Sequence, residues 1–332
     1  MAAAPPPPSS PGRGPTARRA VAPVAALAAV AGIALAGLLG LGTTPPATAS
    51  GSGSPAPVAT ASSTVDPALR ARLPEQIRAA GVVRVATDVP YPPFEMFTSP
   101  GSTRMTGLDY DLGQAIGGVL GVRFVFGEQK FDGIVPAIQA GKYDVVMSAM
   151  TDTRQRQKVL DFVDYSASGS GILVAAGNPA GIRTLLDLCG RKVAVQSGSK
   201  QAAMLAGAQD PCTAAGRPKP VLAQYPKDTD AQLAIVSGAA DADFMDKPAA
   251  GYVARTAGGG TRFEVVDDPA APTGTDATPN GIGVSKALPG LAPLVRQALQ
   301  RLIDDGTYGR ILDAYGEKGI GIRTATINGG TS

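Results

Sequence analysis

The stretch with the clearest chemistry is the run of residues 147–156, Met-Ser-Ala-Met-Thr-Asp-Thr-Arg-Gln-Arg. It follows an apolar segment, passes through the hydroxyls of Ser148 and Thr151, and ends on the guanidinium of Arg156. Hydroxyls, free N–H groups at a helix start and a guanidinium together hold a carboxylate. Neither a phosphate-binding glycine loop nor a cluster of metal ligands accompanies the run in the sequence. We therefore predict a site for a small organic acid or an amino acid.

Further candidate residues follow other predicted strands, because ligands of open parallel sheets sit beyond the carboxyl ends of the strands. The chain divides into two similar halves. In the first half these ends present Asp88, Tyr91, Phe131, Ser148, Ala149, Met150, Thr151 and Arg156. In the second half they present Gln196, Gly198, Ser199 and Asp246.

Opposite charges at the two sets of strand ends match a zwitterion. Arg156 is expected to pair bidentately with an α-carboxylate, and Asp246 to take the α-ammonium with Asp88 nearby. Tyr91 and Phe131 would hold the side chain between their rings. The predicted ligand is therefore a free α-amino acid.

Each of these residues also has an ordinary structural explanation. Arg156 could be a solvated helix residue, and Asp246 could cap the helix that begins at Lys247 and Pro248. The rings of Tyr91 and Phe131 could belong to the core. Ser148 and Thr151 could be plain polar residues at a strand end.

The elements that must position these groups alternate between strands and helices. Strands are predicted over residues 82–88, 123–126 and 144–148. Helices are predicted to be capped by Asp109 and Asp132 and to end at Gly121 and Gly141. Such alternation is typical of an α/β fold with a largely parallel sheet.

The pattern then repeats, which predicts two similarly built lobes. Residues 192–196 resemble residues 84–88, and residues 234–241 resemble residues 137–144. Glycine-containing strands over residues 171–174 and 281–284 suit a two-strand hinge. An amphipathic helix over residues 291–302 is expected to pack on the first lobe. We assign residues 69–174 and 281–320 to lobe 1, residues 175–280 to lobe 2 and residues 321–332 to a tail.

Composition excludes several function classes. The chain of 332 residues contains no histidine, so histidine-dependent nucleophilic catalysis and histidine-ligated metals are excluded. The net charge of +3 equals the three arginines within residues 1–49, namely Arg13, Arg18 and Arg19, so the remainder is neutral. A neutral remainder does not favour nucleic-acid binding. We predict no cofactor and no metal.

The N-terminal segment predicts export. Residues 20–42 form an uncharged apolar run behind basic residues, and Ala47-Thr48-Ala49 offers a small-residue cleavage site. Residues 1–49 are therefore a signal segment or a retained membrane anchor, and residues 50–68 a flexible linker. Arg18-Arg19 fits an ordinary basic region better than a twin-arginine signal.

The two cysteines, Cys189 and Cys212, lie close together on the exported side, which favours a disulfide. The alternative is two buried free thiols.

At these residues the chain resembles the bacterial extracellular solute-binding proteins of family 3, the amino-acid-binding components of ABC importers. The resemblance covers about residues 73–316. It rests on Val-Arg-Val-Ala-Thr-Asp-Val-Pro-Tyr-Pro-Pro-Phe at 83–94, Gly-Leu-Asp-Tyr-Asp-Leu at 107–112, Phe-Asp-Gly-Ile-Val-Pro-Ala-Ile at 131–138, Ala-Met-Thr-Asp-Thr-Arg-Gln-Arg at 149–156, Lys-Val-Ala-Val-Gln-Ser-Gly at 192–198 and Asp-Gly-Thr-Tyr-Gly at 305–309.

The resemblance implies the type II periplasmic-binding fold, in which two α/β lobes close on a ligand around a two-strand hinge. By position, Arg156 matches the family's carboxylate-binding arginine, Thr151 its hydroxyl and amide partner, and Asp246 its ammonium-binding aspartate. Two departures stand out. Lys200 replaces a small or hydroxyl residue and is expected either to reach an acidic ligand side chain or, preferably, to point to water. No lipobox cysteine follows the signal, so the mode of anchoring is open.

The predicted protein is a non-enzymatic clamp that delivers a polar or charged amino acid to an ABC permease with a separate ATPase subunit. We expect a monomer with no nucleic-acid partner, secreted or anchored at the outer face of the cytoplasmic membrane. The alternatives are a dehydratase acting on prephenate-like acids and a ligand-binding sensor partner. The ligand's identity depends on loops that the sequence does not place, including those with Met96, Lys130, Gln196 and Met245.

Overall fold

A computed structural model describes residues 64–207 and 210–332. These residues belong to one compact unit, Gly51–Ser332. The predicted signal or anchor segment and most of the predicted linker lie outside the described residues. In the part of the chain that is described, no helix combines the length and the apolar character needed to cross a membrane.

The described residues alternate between strands and helices. The strands are β1 (Val82–Thr87), β2 (Met96–Phe97), β3 (Met105–Thr106), β4 (Arg123–Glu128), β5 (Val145–Val146), β6 (Leu160–Ala175), β7 (Lys192–Gln196), β8 (Val221–Tyr225), β9 (Ala242–Asp246), β10 (Phe263–Val265) and β11 (Thr275–Ser285). The helices are α1 (Pro67–Ala71), α2 (Glu75–Ala80), α3 (Leu108–Leu120), α4 (Ile134–Gln139), α5 (Arg154–Gln157), α6 (Lys200–Ala206), α7 (Pro211–Ala214), α8 (Asp228–Val236), α9 (Lys247–Thr256), α10 (Leu291–Asp304) and α11 (Thr307–Ala314).

One curled sheet carries both predicted lobes. Its strand order is β4-β1-β5-β11-β6-β9-β7-β8, with β10 paired to β6. In lobe 1, β1 runs parallel to β4 and β5. In lobe 2, β7 runs parallel to β8 and β9 in the same arrangement. The internal repeat predicted from the sequence is therefore visible as two matching three-strand units.

The two units are joined by β6 and β11, which pair antiparallel and contain both segments predicted as crossovers. Their register shifts between Thr275 and Thr278 and again between Asn280 and Gly281. Gly169 and Gly274 lie so close that a Cβ on Gly169 would be 2.3 Å from the carbonyl carbon of Gly274. Only glycine at both positions lets the two connections cross at this distance.

Two helix starts differ from the prediction. The N-cap of α3 is Gly107, with no side-chain cap, and the carboxylate of Asp109 instead accepts a hydrogen bond from the backbone N–H of Ala149 at 2.8 Å. Asp132 lies inside a 3₁₀ turn, Phe131–Gly133, that precedes α4, and it caps neither element. The predicted stop at Gly121 is confirmed, because this residue adopts the left-handed conformation at φ 66°.

The main core lies in lobe 1, where α3 and α10 pack on the sheet through residues such as Leu112, Ile116 and Leu299. Lobe 2 has its own smaller apolar cluster around Val193 and Phe244. Residues 321–332, predicted as a tail, lie along β6, where Asn328 donates a backbone hydrogen bond to the carbonyl of Phe162 at 2.9 Å. The last two residues of the predicted linker range are the first residues of α1.

Candidate functional site

The carboxyl ends of the strands from both lobes border one small cavity. Most of the predicted binding residues line it, together with three residues that the sequence analysis missed. The lining is Tyr91, Phe131, Ser148, Ala149, Thr151, Gln196, Ser199, Lys200, Gln201, Asp228, Phe244, Met245 and Asp246. Arg156 and Gly198 line an adjoining opening of the same cleft. The missed residues are Gln201, Asp228 and Phe244.

Arg156 extends across the cleft rather than into solvent. Its Nη1 donates to the carbonyl of Thr151 at 2.7 Å, and its Nη2 donates to the carbonyl of Gly198 in lobe 2 at 3.0 Å. The guanidinium carbon lies 5.6 Å from the ring centroid of Phe131, a cation–π distance. Burial lowers the pKa of Arg156 to about 10, so the group remains charged at neutral pH. Arg156 is thus a half-exposed residue of α5 whose guanidinium contacts both lobes.

The loop before Arg156 is hydrogen-bonded to buried carboxyl groups. Ser148 Oγ accepts a hydrogen bond from the N–H of Asp88 at 2.9 Å and donates one to Oε1 of Glu95 at 2.5 Å. Ala149 adopts φ 43°, a strained value for a non-glycine residue, and Asp109 holds its N–H. The Ser148 hydroxyl thus already makes two hydrogen bonds within lobe 1, although the residue lines the cavity.

Met150 and Asp88 are the two predicted site residues that line neither the cavity nor its adjoining opening. The side chain of Met150 is 1% exposed and belongs to an apolar cluster of lobe 1 with Phe162 and Ile134. Its carbonyl accepts a hydrogen bond from Gly281 at 3.0 Å. Met150 therefore anchors the loop to β11 and does not line the cavity.

The two carboxyls behind the loop retain protons more readily than exposed ones. Burial raises the pKa of Asp109 to about 7, and burial followed by the charge of Asp109 raises the pKa of Glu95 well above its usual range. Both side chains have no solvent exposure. Because desolvation disfavours two charges here, the two carboxyls are not both ionised near pH 7.

Asp246 occupies the N-cap position of α9, but its side chain makes no capping hydrogen bond. Its carboxylate instead accepts from the hydroxyl of Tyr91 at 3.0 Å and from Nε2 of Gln201 at 3.0 Å. Burial raises the pKa of Asp246, and these two hydrogen bonds oppose that shift. The capping explanation is therefore wrong, and the carboxylate faces the cleft. Gln201 was missed because it lies one residue inside α6, beyond the strand-end positions that were considered.

The lobe 2 loop between β7 and α6 approaches lobe 1 closely. Ser199 caps α6 by accepting from the N–H of Ala202 at 3.0 Å. Gly198 adopts φ 78°, and a Cβ there would lie 2.9 Å from the Cα of Asp132 in lobe 1. A glycine is thus required both by the backbone conformation and by the contact between the lobes.

Lys200 does not point to water, which was the preferred expectation for this residue. Its side chain is 9% exposed and forms an ion pair with Oδ2 of Asp276 at 2.8 Å. It also donates to the carbonyl of Asp276 at 2.6 Å and to the hydroxyl of Thr278. The lysine therefore links α6 to β11 at the edge of the cavity. The sequence spacing did not reveal Asp276 as its partner.

Asp88 lies at the end of β1 and is 3% exposed. Nε2 of Gln196, from lobe 2, donates to its Oδ2 at 2.6 Å. Burial raises the pKa of Asp88 to about 6, and the nearby charge of Lys227 opposes the shift. Lys227 reaches lobe 1 directly, donating to the carbonyl of Val89 at 3.0 Å and to Oε1 of Glu128 at 2.5 Å.

Asp228 lines the cavity at the start of α8, just after the end of β8 at Tyr225. The strand-end rule that identified the other candidates applies equally to β8, so the signal was present in the sequence. The cavity therefore combines two carboxyl groups with three aromatic rings, and the guanidinium of Arg156 lines its adjoining opening. That arrangement is complementary to an α-amino acid.

The predicted disulfide is confirmed, with Cα atoms of Cys189 and Cys212 5.5 Å apart. Within residues 64–207 and 210–332, no group of side chains is arranged to hold a metal ion.

Comparison with known proteins gives a consistent result. The family of bacterial extracellular solute-binding proteins, family 3, matches residues 83–318. The arginine-binding protein of Corynebacterium glutamicum is 33% identical over 269 residues, which cover 79% of this chain and 83% of that protein.

Two solved structures align over similar lengths. An ancestral arginine-binding protein bound to arginine aligns with a TM-score of 0.61 and 34% identity, covering 71% of this chain and 98% of that one. An ancestral amino acid-binding protein, described as a precursor of cyclohexadienyl dehydratase, aligns with a TM-score of 0.60 and 34% identity, covering 73% and 97%. The predicted type II periplasmic-binding fold is confirmed by these alignments.

Proposed function

Because the chain belongs to the bacterial extracellular solute-binding proteins of family 3, we propose that it is the substrate-binding component of an amino-acid ABC transporter whose ligand is arginine or a similar cationic amino acid. The arginine-binding relative and the arginine-bound ancestral protein support the choice of ligand.

One observation carries this proposal. Arg156 from lobe 1 and Asp246 from lobe 2 face the same cleft, and the rings of Tyr91 and Phe131 lie beside it. An α-carboxylate on the guanidinium and an α-ammonium on the carboxylate would complete two charge-assisted pairs at once. Since the two groups come from different lobes, the zwitterion is held fully only when the lobes are close.

Contacts between the lobes support a clamp mechanism. Tyr91 donates to Asp246, Arg156 donates to Gly198, and Lys227 pairs with Glu128. The ligand would stabilise this closed arrangement because it binds both sides of the cleft, whereas an open form would contact it on one side. The closed form would then be recognised by a permease served by a separate ATPase subunit. We propose that the protein acts as a monomer, held at the outer face of the membrane or secreted.

We also propose that the protein is not an enzyme. The ancestral neighbour related to a dehydratase is itself described as an amino acid-binding protein. The chain offers no imidazole for acid–base chemistry near neutral pH. Release of product from prephenate or arogenate by the purified protein would contradict this view, and recovery of a receptor instead of a permease would favour a sensor role.

Isothermal titration of the purified protein with arginine, lysine, histidine and glutamine tests the proposal. We expect saturable binding of one arginine per chain. A parallel thermal melt should show stabilisation, since ligand at 100-fold its Kd adds about 2.7 kcal/mol to the unfolding free energy. Failure of all common amino acids to bind would refute the proposed function.

A further inference from the structure

Residues 321–332 make contacts that the proposed function does not use. The family matches residues 83–318, so this segment lies outside the matched part of the chain. It was predicted to be a tail, yet it runs along β6 to the opening that adjoins the cavity, where Ser332 is one of the lining residues. Arg156 lines the same opening, which points to a role for the segment in ligand binding.

The first part of the segment covers one edge of β6. Strand β9 pairs with β6 only over residues 170–173, and among the described strands none lies on that side of β6 before those residues. The segment fills this place, because antiparallel bridges join Val163 to Ile327 and Ser166 to Gly321. The pairing satisfies backbone groups of β6 and fixes the segment to lobe 1.

A buried carboxyl on β6 holds the segment just before it reaches the loop of Arg156. Oδ2 of Asp164 accepts a hydrogen bond from Oγ1 of Thr326 at 2.6 Å and another from the N–H of Gly329 at 3.0 Å. A Cβ on Gly329 would lie 2.6 Å from the same carboxyl oxygen. The segment therefore passes β6 at a distance that a larger residue does not allow.

Asp152 connects the segment to the loop of Arg156. It has no solvent exposure, and its N–H donates to the carbonyl of Pro279 on β11 at 2.9 Å. Its Oδ2 accepts from the N–H of Gly330 at 2.8 Å, and its Oδ1 accepts from Nε2 of Gln157 at 2.9 Å. The loop is therefore held by β11 through the backbone of Asp152 and by the segment through its side chain.

The segment also contacts the first residue of α5. The N–H of Arg154 has no partner within the helix, as is usual in a first turn, and it donates to the carbonyl of Ser332 at 2.9 Å. Arg156 lies on the same short helix, and its Nη1 donates to the carbonyl of Thr151 at 2.7 Å. The position of the guanidinium thus depends on α5 and on the loop before it, and the segment contacts both.

We propose that residues 321–332 position the guanidinium of Arg156 for the α-carboxylate of the ligand, and this assignment rests on the proposed function above. Asp152 and Gly330 are positioning residues, since neither lines the cavity or its adjoining opening. Their hydrogen bond holds the loop in one conformation before the ligand arrives. A group that is already fixed in its binding orientation loses less freedom when the ligand binds.

Gly330→Ala tests this assignment, because a Cβ on Gly330 would clash with the backbone carbonyl of Asp152. Gly319→Ala is the matched control, since nothing lies within 4 Å of an added Cβ there. Neither glycine has a left-handed φ, so neither alanine adds backbone strain. In titration calorimetry we expect Gly330→Ala to bind arginine about tenfold more weakly than the wild type. Gly319→Ala should bind arginine as the wild type does.

Gln157→Ala is a second variant that weakens the same contact without adding an atom. Nε2 of Gln157 donates both to Asp152 and, at 2.8 Å, to the carbonyl of Gly330. We expect arginine affinity to fall about threefold, as for the loss of a hydrogen bond that supports the site. Thermal melts check that both variants are folded.

An Arg156→Lys background separates positioning from a general effect on the fold. Lysine keeps the positive charge but is a point charge on a flexible stem, so its binding does not depend on the orientation of a rigid fork. In this background Gly330→Ala should change arginine affinity by less than about twofold.

The possible outcomes separate the two proposals. If the wild type binds arginine and Gly330→Ala binds it as tightly as Gly319→Ala, the positioning role is overturned. If Gly330→Ala loses equal affinity in the Arg156 and Arg156→Lys backgrounds, the segment supports lobe 1 as a whole and the positioning role is again overturned. If the wild type binds no amino acid, the proposed function itself fails, and the role of the segment fails with it.

Discussion

The hydroxyl of Tyr91 lies 3.0 Å from Oδ2 of Asp246, and the backbone N–H of Asp246 donates back to that hydroxyl at 3.2 Å. The two residues belong to different lobes, so this exchange of hydrogen bonds joins them across the cleft. It also holds the Asp246 carboxylate away from the end of α9, where it would otherwise cap the helix. The same contact therefore links closure of the lobes to the orientation of the proposed ammonium ligand.

Tyr91→Phe should weaken amino-acid binding about threefold to tenfold, since it removes roughly 1 kcal/mol of hydrogen bonding from the closed form and keeps the ring. Tyr91→Ala should weaken binding further, because the ring that faces the ligand side chain is lost as well. Titration calorimetry on the two variants measures both steps. Equal affinities for wild type and Tyr91→Phe would show that the hydroxyl contributes nothing to closure.

Arg156→Ala should weaken arginine binding at least about thirtyfold, because truncation of one partner of a charge-assisted pair costs about 2–5 kcal/mol. Its neighbour Arg154 is exposed and is therefore the natural control. Arg154→Ala should bind as the wild type does. Circular dichroism checks that both variants are folded, and unchanged affinity in Arg156→Ala would refute the assigned role.

The arrangement of lobes was predictable because it depends on patterns that repeat along the chain. The resemblance between the segments that end at Asp88 and Gln196 corresponds to β1 and β7, each flanked by two parallel strands. Helix ends at a glycine, such as Gly121, were also predictable, since the left-handed conformation at a helix end strongly favours glycine. The rule that ligands meet the carboxyl ends of strands then located most of the cavity.

Partners distant in sequence were not predictable in the same way. Asp109 has the local sequence of a helix cap, but tertiary contact with Ala149 decides its hydrogen bond. Lys200 has the local sequence of an exposed helix residue, but β11 places Asp276 within 2.8 Å of it. Asp228 was missed for a different reason, because it follows a strand whose end was not considered. Local patterns thus determine elements, whereas the partners of buried charges depend on packing.

Gly198→Ala should block the proposed closure, because its Cβ would lie 2.9 Å from the Cα of Asp132. Gly216 is the matched control, since it also has a left-handed φ but nothing lies within 4 Å of an added Cβ. Both alanine variants should lose about 1 kcal/mol of stability from backbone strain. Only Gly198→Ala should lose affinity, by at least about tenfold in calorimetry. Equal affinities in the two variants would show that closure does not require the close contact between Gly198 and Asp132.

The disulfide should contribute stability without contributing to binding. Cys189 and Cys212 close a loop of about 24 residues, which in the chain-entropy model stabilises by roughly 3 kcal/mol. The double variant Cys189→Ala, Cys212→Ala should lose about that much in urea unfolding and keep its affinity for arginine, since neither residue lines the cavity. A wild-type protein under reducing conditions provides the second measurement. If the folded double variant lost affinity for arginine, the disulfide would contribute to binding and the prediction would be wrong.

The ligand-free protein should be more stable at pH 5.5 than at pH 8, because several buried carboxyls keep protons in the folded state. Burial raises the pKa of Asp88 and Asp164 to about 6, and that of Asp109, Asp228 and Glu317 to about 7. The folded state therefore binds more protons than the unfolded state between about pH 4 and pH 7. By linkage, the unfolding free energy falls as the pH rises through that window.

Two features make this pH dependence a clean test of buried carboxyls. The chain has no histidine, so no imidazole titrates in the same window. The carboxyl of Asp210, whose pKa is lowered to about 2 by hydrogen bonds from Thr213, loses its stabilising effect only at much lower pH. Glu317→Gln should therefore reduce the difference in melting temperature between pH 5.5 and pH 8, whereas Glu75→Gln at an exposed site should not. We expect the wild-type difference to be at least about 3 °C. A melting temperature that is flat or rises from pH 5.5 to pH 8 would mean that these carboxyls ionise as freely in the folded protein as in the unfolded chain.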